Sequence, residues 1–181
     1  QCHIEQFSET TISRLEYGDA DMFLGMNNVR VFGVRQFPET LRVVDLRPVR
    51  WVCCVSRDHS VITDELTEEQ FLSLPHIVGW PSTHTVSLEE YVRRLLNAEI
   101  TIRATAQSLV EIAFLMAGTD LIATLPERLV HKLSALLPVK TFPLPFNIPE
   151  TREVLVWHKR NEPDPGHAWL RELIIEIARE P

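Results

Sequence analysis

Short apolar blocks alternate with capped helical stretches along the whole chain. Residues 2–7 read as a strand and run into Ser8, a residue suited to cap a helix. Ile12 and Leu15 share one face of that helix, and Gly18 stops it. Residues 21–25 form an apolar run short enough for a buried strand, and residues 37–56 form a long extended stretch. Pro48 has no N–H to give a ladder, so it marks a break or an edge in that stretch. Thr67-Glu68-Glu69-Gln70 is a capping box that opens a helix through Leu74, and Ser87-Leu88-Glu89-Glu90 opens another through Leu96, with a strand at 76–80 between them. A strand at 100–105 precedes a third capping box, Ser108 to Glu111, whose apolar helix ends at Gly118. A strand at 121–125 stops at Pro126 and leads into a helix at 127–136. A β-branched strand at 152–159 is followed by Asp164-Pro165, the cap and first position of a C-terminal helix reaching Glu180.

This alternation predicts an α/β fold with mainly parallel sheets and helices on both faces. The Pro-rich stretch 138–149 is too apolar for a free linker. It reads either as an extended segment between two lobes or as a Pro-rich edge strand with loops.

Composition narrows the class. The 181 residues are 45% apolar and 24% charged, which is globular and excludes disorder or collagen-like structure. A formal charge of −7 lacks the basic footprint of a nucleic-acid-binding module. Cys2, Cys53 and Cys54 make no disulfide framework, since adjacent strand cysteines point to opposite faces, and a reducing, cytoplasmic setting is expected. There is no apolar run of roughly 18 to 20 residues and no basic start followed by an apolar segment, so neither a membrane span nor an export signal is read in this chain. The chain opens without Met on a predicted strand, from which an N-terminal portion lying outside it is expected.

Catalytic and metal motifs are absent. There is no G-x-G-x-x-G, no P-loop, no G-x-S-x-G and no H-E-x-x-H, and six glycines are few for a phosphate cradle. The seven histidines form no i,i+4 pair and meet no cysteine at ligand spacing, so no metal and no cofactor are expected. Buried strand cysteines are poor nucleophiles, because the thiolate needs an electropositive setting. What remains is a set of helices starting at Ser or Thr directly after strands: Ser8-Glu9-Thr10, Ser82-Thr83-His84 and Gln107-Ser108. Such N-termini offer unpaired N–H groups, a hydroxyl and the positive end of a helix dipole. They either converge on a small polar or anionic ligand, with Phe7 and Trp80 as apolar walls, or serve as ordinary caps.

Several segments carry a resemblance. S-R-L-E-Y-G-D-A-D-M-F-L-G (13–25) resembles the "L-x-x-G-x-x-D-hydrophobic" element of the effector domain of LysR-type transcriptional regulators. L-R-P-V-R-W-V-C-C-V-S-R-D-H-S-V (46–61) is similar to their crossover strand and following "H-P" turn, with Ser60 where proline is usual. L-T-E-E-Q-F (66–71) is similar to the helix opening after that turn, and A-G-T-D-L-I-A-T-L-P-E-R-L (117–129) to the "G-x-G-hydrophobic-x-x-hydrophobic-P" element. Asp120 replaces the second glycine there, as in the branch of naphthalene, salicylate and nodulation regulators. V-L-V-W-H-K-R with D-P-G-H-A-W-L-R-E (154–172) resembles the closing strand and helix of that branch.

The resemblance implies two Rossmann-like lobes of the type 2 periplasmic-binding-protein kind, joined by two crossover strands, with the first strand and helix of lobe one missing. Lobe one is expected at 1–50 and 153–181, lobe two at 51–152, with a small, aromatic inducer in the cleft between them. By position it implies Ser8 and Thr10 on the lobe-one rim, Trp80, Ser82, Thr83 and His84 on lobe two, and Gln107, Ser108 and Glu153 as further effector-binding candidates. Homodimers pairing into tetramers, and DNA bound through a helix-turn-helix outside this chain, are implied as partners, with no membrane and no catalysis. An extracytoplasmic solute-binding protein of the same architecture is the alternative, and an α/β lyase or hydrolase a more distant one.

Overall fold

The computed structural model describes residues 2–5, 10–27, 37–79 and 88–179. The described residues divide into two compact units: residues 2–5, 10–27, 37–48 and 151–179 in one, residues 49–79 and 88–150 in the other.

The first unit holds a three-stranded sheet. Helix α1 (Thr11–Tyr17) is closed by Gly18, whose φ of 90° suits a residue without a Cβ. Strands β1 (Met22–Asn27) and β2 (Leu41–Val49) flank β8 (Thr151–His158), and β1 runs antiparallel to β8 with Gly25 opposite Val154. Residues Val154 to Trp157 are buried, as befits a central strand. With Leu15 and Leu41, the Val154 and Val156 side chains make the core on one side of the sheet. The long helix α6 (Pro165–Arg179) starts where expected: the Asp164 carboxylate accepts the N–H of His167 at 2.7 Å. Residues 2–5 are exposed and form no strand, against the expectation for 2–7; residues 6–9 lie outside the described residues. An apolar-alternating segment becomes a strand only where a neighbouring strand takes its backbone hydrogen bonds, and among the described residues none pairs with residues 2–5.

The second unit is a five-stranded sheet in the order β5-β4-β6-β3-β7. Its strands are β3 (Trp51–Ser56), β4 (His76–Gly79), β5 (Ile102–Ala106), β6 (Ile122–Pro126) and β7 (Val139–Pro143). Helices α2 (Glu68–Ser73) and α3 (Leu88–Leu96) cover one face, with Phe71 and Val92 against Cys53, Val55, Ile122 and Phe142. Helices α4 (Leu109–Met116) and α5 (Glu127–Leu133) cover the other, where Ile112, Ala113, Met116 and Val130 meet Val52, Cys54, Ile77, Ala123 and Leu125. Cys53 and Cys54 therefore do face opposite sides of β3, and both thiols are fully buried.

The sheets are mixed, which corrects the expectation of mainly parallel ones. β5 and β6 run parallel to β4, but β3 is antiparallel to both β6 and β7. β7 thus points the same way as β6 with β3 inserted between them. The sheet-crossing strand entering after Pro48 and Arg50 takes the slot that a regular β6-helix-β7 crossover would otherwise fill. The Pro-rich stretch supplies β7, an edge strand, in line with the second of its two readings.

Candidate functional site

In the second unit, β5, β4 and β6 end on one edge of the sheet, at Ala106, Gly79 and Pro126. Helix α4 starts there after Gln107 and Ser108, α5 starts at Glu127, and the α3 start at Leu88 belongs to the same edge because α3 returns antiparallel over the sheet. Ligands of α/β sheets bind at such carboxyl ends, where helix N-termini leave N–H groups unpaired. β3 runs the opposite way and so brings its first residue, Trp51, to this edge opposite Pro126. The Arg50 carbonyl accepts the Glu127 N–H at 2.8 Å, and the Arg50 guanidinium lies 3.5 Å from the Glu127 carboxylate.

Gln107 and Ser108 lie on this edge as the start of α4. The Ser108 hydroxyl accepts the Glu111 N–H at 3.1 Å, and the Glu111 carboxylate accepts the N–H groups of Gln107 and Ser108 at 3.0 and 3.2 Å. This reciprocal cap brings a carboxylate to the helix start, so the dipole end is already compensated.

Two polar groups behind this edge do not stand out as site residues in the sequence. Thr124 lies on β6 directly opposite Cys53 of β3, on the sheet face covered by α3. It is 6% exposed, and its hydroxyl has no hydrogen-bond partner among the described residues. Glu89, in the first turn of α3 and three residues before the buried Val92, is 5% exposed. Burial pushes the Cys53 thiol well above its ordinary range, with Cys54 and then Glu89 adding to the shift, so Glu89 is near enough to act on Cys53 electrostatically. Burial pushes the Cys54 thiol up to about 12. Both cysteines are protonated and un-nucleophilic. The available signal for Thr124 is one polar residue inside the apolar run I-A-T-L-P; Glu89 is masked by its place in a capping box, where a carboxylate is ordinary. Its neighbour Glu90 turns outward instead, to Arg93 and Arg94 at 2.8 Å each, which hold its carboxyl down at about 2.

In the first unit, Thr10 is the N-terminal flanking residue of α1. Its side chain makes no cap, while its carbonyl accepts from Arg14 N–H and the Ser13 hydroxyl, each at 2.9 Å. The helix therefore starts two residues later than the Ser8 cap predicted. Glu153 sits on β8 opposite Met26, and its carboxylate is 2.6 Å from the Arg47 guanidinium, which also donates to the Ala178 carbonyl at the end of α6. The two half-buried charges tie β8, β2 and α6 together. Ser8, Trp80, Ser82, Thr83 and His84 lie outside the described residues, as does the Ser87 cap.

The two motif segments at 46–61 and 117–129 meet in space. His59 is 3% exposed. Its Nδ1 accepts the N–H groups of Val61 and Ile62, both at 3.1 Å, while Nε2 lies 3.2 Å from the Asp120 carbonyl oxygen. Accepting at Nδ1 places the ring proton on Nε2, which donates to Asp120. The Asp120 carboxylate accepts the Ser60 N–H at 3.1 Å, and this backbone contact first of all lowers its pKa. Among the described residues no three His, Cys, Asp or Glu side chains group so as to hold a metal, and no helix is long and apolar enough to cross a membrane.

Comparison with known proteins agrees with this architecture. The family described as the LysR substrate binding domain matches residues 3–179. Nodulation protein D 2 of Bradyrhizobium sp. (strain NC92) is 30% identical over 128 residues, covering 70% of this chain and 38% of that protein. The HTH-type transcriptional activator NagR of Ralstonia sp is 30% identical over 132 residues, covering 72% of this chain and 44% of that protein. This chain thus spans less than half the length of both relatives. A crystal structure of a probable transcriptional regulator from Pseudomonas aeruginosa superposes with a TM-score of 0.76 at 22% identity, over 93% of this chain and 52% of that one. The fold is that of the periplasmic-binding-protein-like effector domains, and the chain belongs to the LysR substrate-binding domain family.

Proposed function

We propose that this chain is the effector-sensing and self-associating part of a bacterial LysR-type transcriptional regulator, responding to a small aromatic molecule. The family match across residues 3–179 carries the reading, because it spans both units and every element that the resemblance predicted. The polar edge of the second unit and the protonated, buried state of Cys53 and Cys54 agree with binding rather than turnover. Thr10 and Glu153 of the first unit, with Gln107 and Ser108 of the second, are proposed to contribute to effector binding, together with Ser8, Trp80, Ser82, Thr83 and His84. Lobe one is proposed as residues 1–50 and 153–181 and lobe two as 51–152. DNA binding is assigned to a helix-turn-helix outside this chain, and the protein to the cytoplasm. Homodimers and their tetramers are the expected assembly.

A ligand shifts a conformational equilibrium only through its different affinity for the two states. The test is a thermal-shift screen of the full-length protein against salicylate-like acids and larger polycyclic or flavonoid compounds. An inducer should raise the unfolding midpoint, and Ser8→Ala or His84→Ala should blunt the response. No shift with any compound, together with intact responses in those variants, overturns the reading.

A further inference from the structure

The half-buried charge pair of the first unit lies where the chain leaves that unit and returns to it. Among the described residues the chain passes between the two units at Pro48–Val49, on β2, and at Glu150–Thr151, where β8 begins. β2 and β8 are neighbours in the three-stranded sheet. Arg47 stands one residue before the first crossing, and Glu153 two residues after Thr151. Pro48 has no N–H to give a ladder, so backbone pairing is weakened at the crossing itself and side chains matter more there.

Two ion pairs bridge these strands, and they are unequal. Asp45 and Arg152 approach to 3.2 Å with side chains 55% and 39% exposed, open to water and salt. Arg47 and Glu153 approach to 2.6 Å with both side chains 27% exposed. Less water reaches this second pair, so each charge depends more on the other. The Arg47 guanidinium also donates to the Ala178 carbonyl at 3.3 Å, in the last turn of α6. A cation is favoured at that end of a helix, and a guanidinium has donors enough for both acceptors. One planar group thus fastens the strand that carries it, the returning strand through Glu153, and the end of α6.

The resemblance implies Glu153 as an effector-binding candidate. Its carboxylate already accepts a charge-assisted hydrogen bond, so a donor on the effector would have to compete with a guanidinium. A change in how the two units are placed passes through β2 and β8, because both carry the chain from one to the other. Apparent affinity falls with the fraction of protein in the binding-competent state, so fastening these strands can set affinity without touching the ligand.

We infer that Arg47 is a positioning residue for effector binding: it holds Glu153 and the two crossing strands in the binding-competent arrangement, and Glu153 acts through Arg47 rather than on the effector. This rests on the effector-sensing reading above and specifies how one of its residues works.

The experiment is a double-mutant cycle on effector affinity, measured by titration calorimetry on the full-length protein with salicylate and with the flavonoid naringenin as probes. Arg47→Met and Glu153→Gln should each weaken binding about fivefold, the scale of a partly screened ion pair. The double variant should bind no more weakly than either single one, because both changes break the same tie. The reversed pair, Arg47→Glu with Glu153→Arg, keeps the test open if a single variant does not fold, and it should recover most of the affinity. A Glu153→Gln loss that adds in full to that of Arg47→Met, or that Arg47→Met does not share, means that Glu153 meets the effector itself and overturns the inference. A reversed pair that folds without binding overturns it as well. Unchanged affinity with a lowered unfolding midpoint reduces the pair to a structural tie and also overturns it. Each of these results leaves effector sensing standing. If neither probe binds the unsubstituted protein the inference falls too, and sensing itself falls only if the wider screen is silent.

Discussion

His76 shows how much a single buried side chain can set. It is fully buried, its Nε2 bonds the Phe71 carbonyl at 2.7 Å, and it meets the Phe71 ring edge-on at 4.7 Å. Desolvation lowers its pKa to about 4 despite that carbonyl. Between about pH 6.5 and 4 the unfolded chain therefore binds a proton that the folded chain refuses, and stability falls as the pH drops through that window. The loss should approach about 3 kcal/mol below pH 4, because each pH unit between the unfolded and folded pKa is worth about 1.4 kcal/mol. Urea unfolding followed from pH 7 to 4 should show it, and His76→Leu should flatten the profile over the same range. The sequence identifies seven histidines and no metal spacing, but whether a given one is solvated or buried follows from what packs on it, as Phe71 does here from five residues away.

At the scale of elements, local signals are dependable. The boxes at Thr67 and Ser108 both form with reciprocal bonds, and Asp164-Pro165 opens α6. Such devices need only a few consecutive residues, so they are legible without a fold. Ser108→Ala should cost about 1 kcal/mol in thermal or denaturant unfolding. Ser108→Asn, which still caps, should restore that stability. If Ser108 also meets the effector, Asn should fail to restore the ligand response, which separates the two roles. The His59 turn is different, because its partner Asp120 is 61 residues away in the chain. His59→Leu would leave the N–H groups of Val61 and Ile62 without their acceptor and Asp120 without its donor. A loss of about 2–4 kcal/mol is expected by chemical denaturation. What a glycine at position 120 could not supply is the carboxylate that accepts the Ser60 N–H, a tie between two loops that no spacing within either segment could reveal.

For the whole molecule, the described residues form two compact units with a sheet in each, and the effector sensing proposed above has a thermodynamic signature. An effector binding only the folded state at a hundred times its dissociation constant should add about 2.7 kcal/mol of stability, readable as a concentration-dependent rise in unfolding midpoint. A midpoint that saturates at once or moves downward would contradict binding to the native state. The acidic balance, −7 over 181 residues, agrees with a sensing module whose DNA contacts are assigned elsewhere.

Periodicity and caps are enough to establish an α/β chain, nearly all of its elements and the order in which they come, because each depends on neighbours within a turn or two. The direction of β3 is not available from them. A strand reads the same in either sense, and only its pairing with β6 and β7 makes the sheet mixed. The site divides the same way. Ser108 and Thr10 stand out as residues at helix starts, whereas the burial of Thr124 and of Glu89 follows only from the packing of β6 and α3 into the core. Burial is a property of the assembled core, and it takes both polar side chains out of water, which no local spacing could show.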